Sequence, residues 1–148
     1  MLGTREPEIY GADSMADIMR ALSDQAADLG RQIEMMQSNE EGVLVTAIQK
    51  ARGDAAAILF NLAAYTHTSV ALRDALAMFD GPKVEVHLSN NDRRETFRQV
   101  SLTAGVSDGS IVGFGADSFR LGLDAVHRLL LQRDGAGAIW QIRGGDIG

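Results

Sequence analysis

Residues 84–90 read Val-Glu-Val-His-Leu-Ser-Asn. In a strand, side chains two apart share a face. Glu85, His87 and Ser89 therefore project together, and Val84, Val86 and Leu88 fall on the opposite side. A carboxylate beside an imidazole favours the protonated ring and fixes its orientation. This suits His87 as a general acid with Glu85 as its partner. A half-exposed strand with one polar face gives the same alternation, so the pattern alone leaves both readings open.

Two further segments carry groups of the right kind. Asn61-Leu62-Ala63-Ala64-Tyr65-Thr66-His67-Thr68-Ser69 follows an apolar run and leads into a helical pattern. There an open α/β sheet presents polar groups and helix N–H donors to a ligand. Asn61 and His67 are candidates to bind hydroxyls, and Thr68 or Ser69 can cap the helix. Near the start, Arg5 precedes Tyr10 in REPEIYG. A guanidinium beside a phenol favours the phenolate, which would let Tyr10 act as a base although a free phenol titrates at about 10. A terminal loop without a role fits the same residues.

Other features say less. His127 sits on a long helical pattern and reads as structural or exposed, and three scattered histidines have no metal-ligand spacing. Gly113-Phe114-Gly115 falls short of a dinucleotide fingerprint. Lys50 and Lys83 lack the surroundings of a Schiff-base lysine.

The elements that must position these groups follow from periodicity. Met15, Ile18, Leu22, Ala26 and Leu29 recur at helical spacing, with Asp13 or Ser14 as cap and Gly30 as stop. Residues 32–36 suit a short strand, and 41–52 a second helix ended by Gly53. The apolar run 55–60 suits a parallel strand covered on both faces. Leu72, Ala75, Leu76 and Phe79 mark a third helix before Gly81-Pro82, and 84–88 another strand. Asp92 and Glu95 have capping-box-like spacing. Residues 110–114 read as a strand, and Phe119, Leu123, Val126 and Leu130 as the inner face of a last helix. The alternation predicts an α/β domain of the flavodoxin-like, doubly wound kind with a parallel five-stranded sheet. That fold begins with a strand. Here the pattern begins with a helix and ends, after the flexible Asp134–Gly137 turn, in a strand-like Ala138–Ile142.

Composition narrows the function. A chain of 148 residues with 45% hydrophobic and 23% charged residues suits one compact domain. Its net charge of −6, from 14 basic and 20 acidic residues, opposes general nucleic-acid binding. Asp92-Arg93-Arg94 is too short to alter that and reads as a solvated helix start. With no cysteine there is no disulfide, thiol catalysis or thiolate metal site, which fits a reducing, cytoplasmic setting. The charged opening MLGTREPEIYG does not read as a signal peptide, and no apolar run approaches the roughly 20 residues of a membrane span.

Taken together, LGTREPEIYG, AAYTHTSVALRDAL, VEVHLSN, Phe97-Arg98 and SIVGFG resemble, in order and spacing, the blocks of type II 3-dehydroquinate dehydratases over about residues 1–126. The resemblance implies dehydration of 3-dehydroquinate to 3-dehydroshikimate through an enolate, with no metal, cofactor or lysine adduct. It implies Tyr10 as base, Arg5 as the lid arginine, His87 as general acid and Glu85 as its partner. Asn61, His67 and Arg98 would hold hydroxyls, and Leu88 and Ser89 would hold the substrate carboxylate through backbone N–H groups. Asp74 would serve the neighbouring subunit's site, in a homo-oligomer built from trimers into a dodecamer.

The resemblance also departs from the family. Met1-Leu2-Gly3 enters inside the block that normally follows a first strand and an NGPNLN-like loop. Without that central strand, unpaired backbone groups would each cost about 1–3 kcal/mol. Residues 138–148, AIWQIRGGDIG, have the length and apolar pattern to replace it, as in a circular permutation. Asp146 then stands where the family has an asparagine near the enolate, and Leu62 replaces a common proline. These departures keep open a second reading: a catalytically impaired homologue that binds a shikimate-pathway acid or serves as an assembly subunit.

Overall fold

The structure, a computed structural model, describes residues 14–89 and 100–145. Helix α1 (Met15–Asp28) begins at Ser14, whose hydroxyl accepts from the Asp17 N–H while the Asp17 carboxylate accepts from the Ser14 N–H. This reciprocal pairing is a capping box. Gly30, at φ 72, turns the chain into strand β1 (Ile33–Ser38). Then follow α2 (Glu41–Asp54), β2 (Ala57–Asn61), a 3-10 turn (Ala63–His67), α3 (Val70–Ala77) and β3 (Lys83–His87). After a second 3-10 turn (Ala104–Val106) come β4 (Gly109–Val112), α4 (Asp117–Gln132) and β5 (Ile139–Gly144). The segment with the Asp92 and Glu95 spacing lies outside the described residues.

The five strands form one parallel sheet in the order β1-β5-β2-β3-β4. This is the flavodoxin-like order, with the second place filled by the C-terminal strand. Ile139 pairs with Ile33 on one side and Ala57 on the other, and Arg143 pairs with Gln37 and Asn61. Residues 138–142 thus run through the middle of the sheet. The approach to β5 is tied down at Gly135, whose N–H donates to Leu130 O and whose carbonyl accepts from the Arg31 guanidinium at 2.7 Å. Arg31 Nε also donates to His127 Nδ1, which gives that half-buried histidine a structural partner.

Strand β2 is buried along its whole length, as its apolar run requires. Ala57 and Leu59 join Val86 and Ile139 under Leu22 of α1 and Phe119, Leu123 and Val126 of α4. On the other face, Ile58 and Phe60 join Trp140 and Ile142 under Leu44 and Ile48 of α2 and Leu72 and Leu76 of α3. Helix α4 lies close to the sheet at Gly122, where an added Cβ would sit 2.7 Å from Val86 Cγ2. Several expected boundaries shift. Helix α2 runs through Gly53 to Asp54 instead of stopping at the glycine, and α3 ends at Ala77, short of Phe79. Strand β4 ends before Gly113, which is at φ 94, and Phe114 beyond it is 63% exposed. Strand β2 continues to Asn61 because β5 pairs with it that far. Among the described residues no helix is long and apolar enough to cross a membrane.

Because β5 is central, its apolar side chains bear on stability. Ile142→Ala should destabilise the fold by about 2–5 kcal/mol, the usual cost of a buried isoleucine truncated to alanine. A urea midpoint that stays at the wild-type value would show that β5 is peripheral.

Candidate active site

Strand β3 carries its polar stripe into the interior. Glu85 and His87 are each 2% exposed and Ser89 is 7% exposed. A half-exposed strand with a solvated polar face is therefore excluded. His87 Nε2 lies 2.9 Å from Glu85 Oε2. Ser101 Oγ donates toward both carboxylate oxygens at 3.0 Å, and the Thr103 hydroxyl donates to Oε1. Burial pushes the Glu85 carboxyl up. The bond and charge of His87, with the Thr103 and Ser101 hydroxyls, outweigh that and hold it below the usual glutamate value. A carboxylate only accepts, so Nε2 is the donor and Nδ1 is the ring atom left for chemistry.

The loop after β2 stands beside this pair, because β2 and β3 are parallel neighbours. Asn61 is buried, and its Oδ1 accepts from Ala63 N–H at 2.8 Å. Only its amide N–H groups remain to donate to a ligand. Ala63 takes φ 53, a left-handed conformation that alanine adopts at a cost. Strand β5 and this loop are in close contact here: a Cβ on Gly144 would sit 3.0 Å from Leu62 O. Beyond it, Tyr65 donates its hydroxyl to Asn39 O, and Ser69 caps α3 by accepting from Leu72 N–H. Ser69 also donates to the Glu41 carboxylate.

The loop is fastened to the segment that holds Glu85. Thr66 O accepts from Leu102 N–H at 2.9 Å, and His67 Nδ1 lies 2.6 Å from Val100 O. A carbonyl only accepts, so His67 carries a proton on Nδ1. Residues 100–103 thus link His67, Glu85 and His87 into one unit. Sequence reasoning missed Ser101 and Thr103, since small hydroxyl residues after a strand carry no diagnostic spacing. The usable signal was physical: a buried glutamate requires donors.

The remaining candidates fall into separate places. Leu88 and Ser89 follow β3 at its carboxyl end, both buried, and Leu88 O accepts from Gly115 N–H. Asp74 is exposed on α3, paired with Arg73 at 3.0 Å, and does not join the other groups within the subunit. Arg5, Tyr10, Arg98 and Asp146 lie outside the described residues. Arg143, not singled out from the sequence, stands at the carboxyl end of β5 beside Asn61, its Nε donating to Gln141 Oε1 at 3.1 Å. Among the described residues, no group of three His, Asp or Glu side chains is placed to hold a metal ion.

Fold and site together define a flavodoxin-like α/β protein whose carboxyl rim presents a buried carboxylate–imidazole pair next to the loop that carries Asn61 and His67. The family model described as dehydroquinase class II matches residues 1–127. The 3-dehydroquinate dehydratase of Geotalea daltonii is 58% identical over 126 residues, covering 85% of this chain and 88% of that protein. The 3-dehydroquinate dehydratase of Stenotrophomonas maltophilia is 55% identical over 126 residues, covering 84% and 86%. The type II dehydroquinase structure from Butyrivibrio crossotus superimposes with a TM-score of 0.80 at 38% identity, covering 84% of this chain and 88% of that one. This chain belongs to the class II dehydroquinase family. Strand β5 lies beyond the stretch that the family model matches.

Two outcomes follow from the site geometry. A glutamate held below its ordinary value adds stability that is complete above the unfolded-state value and is lost as pH falls through the folded one. The urea midpoint of wild type should therefore decline in acid below the ordinary glutamate range, and Glu85→Gln should start lower at neutral pH and decline less. Equal acid slopes for the two proteins would show that Glu85 is not held in this way. Separately, Ala63→Gly should stabilise the fold by about 0.5–1 kcal/mol, by relieving left-handed strain at some cost in unfolded-state entropy. A lowered melting temperature would contradict that backbone assignment.

Proposed function

We propose that this protein converts 3-dehydroquinate to 3-dehydroshikimate and water. The observation that carries the proposal is the buried Glu85–His87 pair at the carboxyl end of β3, in a chain of the class II dehydroquinase family. Tyr10, its phenolate favoured by Arg5, takes a proton from the carbon beside the ketone and leaves an enolate. His87 then gives a proton from Nδ1 to the departing hydroxyl, and the C–O bond breaks to release water. Both transfers are general acid–base steps between positioned side chains. Asn61, His67 and Arg98 hold substrate hydroxyls, and the backbone N–H groups of Leu88 and Ser89 hold the carboxylate. Asp74, exposed on α3, faces outward as a residue serving a neighbouring subunit would. The assembly in this reading is a dodecamer of trimers, and the cysteine-free composition supports a cytoplasmic setting.

The same reading assigns β5 and the turn after it to the family's opening strand and loop, in the manner of a circular permutation. The support is its place between β1 and β2. Asp146 then stands at the position of an asparagine that donates to the enolate. An ionised carboxylate has no proton to donate, and its charge opposes the enolate, which slows the reaction by about 10²–10³ by comparison with other lost oxyanion donors. This favours a second reading, an impaired homologue that binds the substrate and turns it over slowly or not at all.

Incubation with 3-dehydroquinate, followed by the absorbance of the conjugated enone, tests the proposal. Turnover should fall by at least about 10²-fold in His87→Ala. It should rise, toward about 10²-fold, in Asp146→Asn. Ligand binding without turnover in either wild type or Asp146→Asn would establish the impaired reading.

A further inference from the structure

We propose that Ser101 and Thr103 form a donor lock that fixes Glu85 as an anion and, through it, fixes which nitrogen of His87 hands over a proton. The inference rests on the reading of His87 as the general acid.

The argument is a proton inventory. Ser101 Oγ has two lone pairs and one hydrogen. It accepts from Ala104 N–H at 3.0 Å and from Thr103 N–H at 3.3 Å. Both backbone donors belong to the turn entering Ala104–Val106, so its acceptor capacity is spent locally. The hydroxyl hydrogen then points to Glu85, 3.0 Å from each oxygen. Thr103 is fully buried, and its hydroxyl donates to Oε1. Ser101 Oγ also lies 3.3 Å from Thr103 Oγ1, so the two hydroxyls form a coupled pair, and both have the carboxylate within reach as acceptor.

A protonated Glu85 would have to turn one of these hydroxyls from donor into acceptor; Ser101 has no acceptor capacity left for that, and Thr103 would give up its bond as donor to Oε1. The carboxylate therefore stays ionised and accepts from His87 Nε2. When the ring is neutral its hydrogen sits on Nε2, and when it is charged the second hydrogen sits on Nδ1. Nδ1 is then the atom that protonates the leaving group. The orienting acid of a catalytic triad fixes the histidine tautomer by the same logic, and there the wrong tautomer is costly. Here the orienting acid is itself oriented, from outside its own strand. The other titratable side chains on the adjoining described loops are Tyr65 and His67, each bonded to a backbone carbonyl, Asn39 O and Val100 O, and Asp108, whose carboxylate accepts from Lys83 N–H. None of them replaces the hydroxyls as a donor to Glu85.

Ser101 and Thr103 are thus positioning residues. The lock predicts that uniformly ¹⁵N-labelled wild type, without ligand, shows neutral His87 as the Nε2–H tautomer in imidazole NMR. Ser101→Ala and Thr103→Val should introduce the Nδ1–H tautomer, lower kcat about tenfold or more and shift its pH profile, with KM within about twofold. Thr103→Ser, which keeps the hydroxyl and folds if Thr103→Val does not, should restore the wild-type tautomer and kcat. Folded Ser101→Ala and Thr103→Val proteins that keep a pure Nε2–H ring and an unchanged kcat pH profile would overturn the proposal, as would Thr103→Ser behaving like Thr103→Val. The NMR readout needs no turnover. A tautomer that moves in a protein inactive toward 3-dehydroquinate would sustain the lock and sink the dehydratase reading; turnover with an unmoved tautomer would do the reverse.

Discussion

A carboxylate that is 2% exposed must have its charge met by hydrogen-bond donors, or it costs the fold several kcal/mol. Glu85 meets this condition with donors from two stretches of chain. His87 comes from its own strand, two residues on, and Ser101 and Thr103 come from beyond the strand. The segment 100–103 is therefore not free to sit elsewhere. Moving it away would leave a buried anion short of partners, the expensive way to break such a network. Most of the geometry at the carboxyl end of β3 follows from that single requirement.

The requirement extends to the neighbouring loop. Leu102 N–H donates to Thr66 O and Val100 O accepts from His67, so fixing 100–103 also fixes the turn that carries His67. That turn is fastened from its other side by Tyr65 to Asn39 and by Ser69 to Glu41. Asn61 is held by its own strand and by Ala63 N–H. The Glu85–His87 pair, His67 and Asn61 thus share one bonded framework. Such preorganisation is what acid–base chemistry needs, since misplacement by an ångström is costly. The left-handed Ala63 fits the same picture, with local strain held in place by well-bonded surroundings.

Parts of this were legible in the sequence because they obey a single period. The spacing of Ile18, Leu22 and Ala26 gave the inner face of α1, and the alternation at 84–89 gave the shared face of Glu85 and His87. That this polar face is buried was not legible, because its cover comes from hydroxyls more than a dozen residues away. The partnership of His67 with Val100 was hidden for the same reason: neither residue type advertises it. Ala63 in the left-handed region had no signal either, since Leu-Ala-Ala carries none of the glycine or asparagine that marks such turns. The position of β5 was legible only indirectly. Its residues read as a strand, but its place followed from asking what could pair with the inner strands of a sheet otherwise lacking its centre.

That placement has a consequence for how the site is built. Strand β5 pairs Ile139 with Ile33 and with Ala57, so its partners are separated from it by most of the chain. Closing such long loops costs entropy before any pairing repays it, though the cost grows slowly with length. Until β5 enters, β1 and β2 each present an unpaired edge to the other across the gap. Trp140 and Ile142 are also missing from the core beneath α2 and α3. The close approach of Gly144 to Leu62 and the pairing of Arg143 with Asn61 arise only at that step. The Asn61 side of the site is thus completed by the strand whose pairings close the longest loops. The Glu85–His87 side rests on β3, β4 and residues 100–103, which are closer together in the chain. The two halves of the candidate site depend on different contacts, and the stability of the Asn61 side is set by how well β5 fills the centre of the sheet.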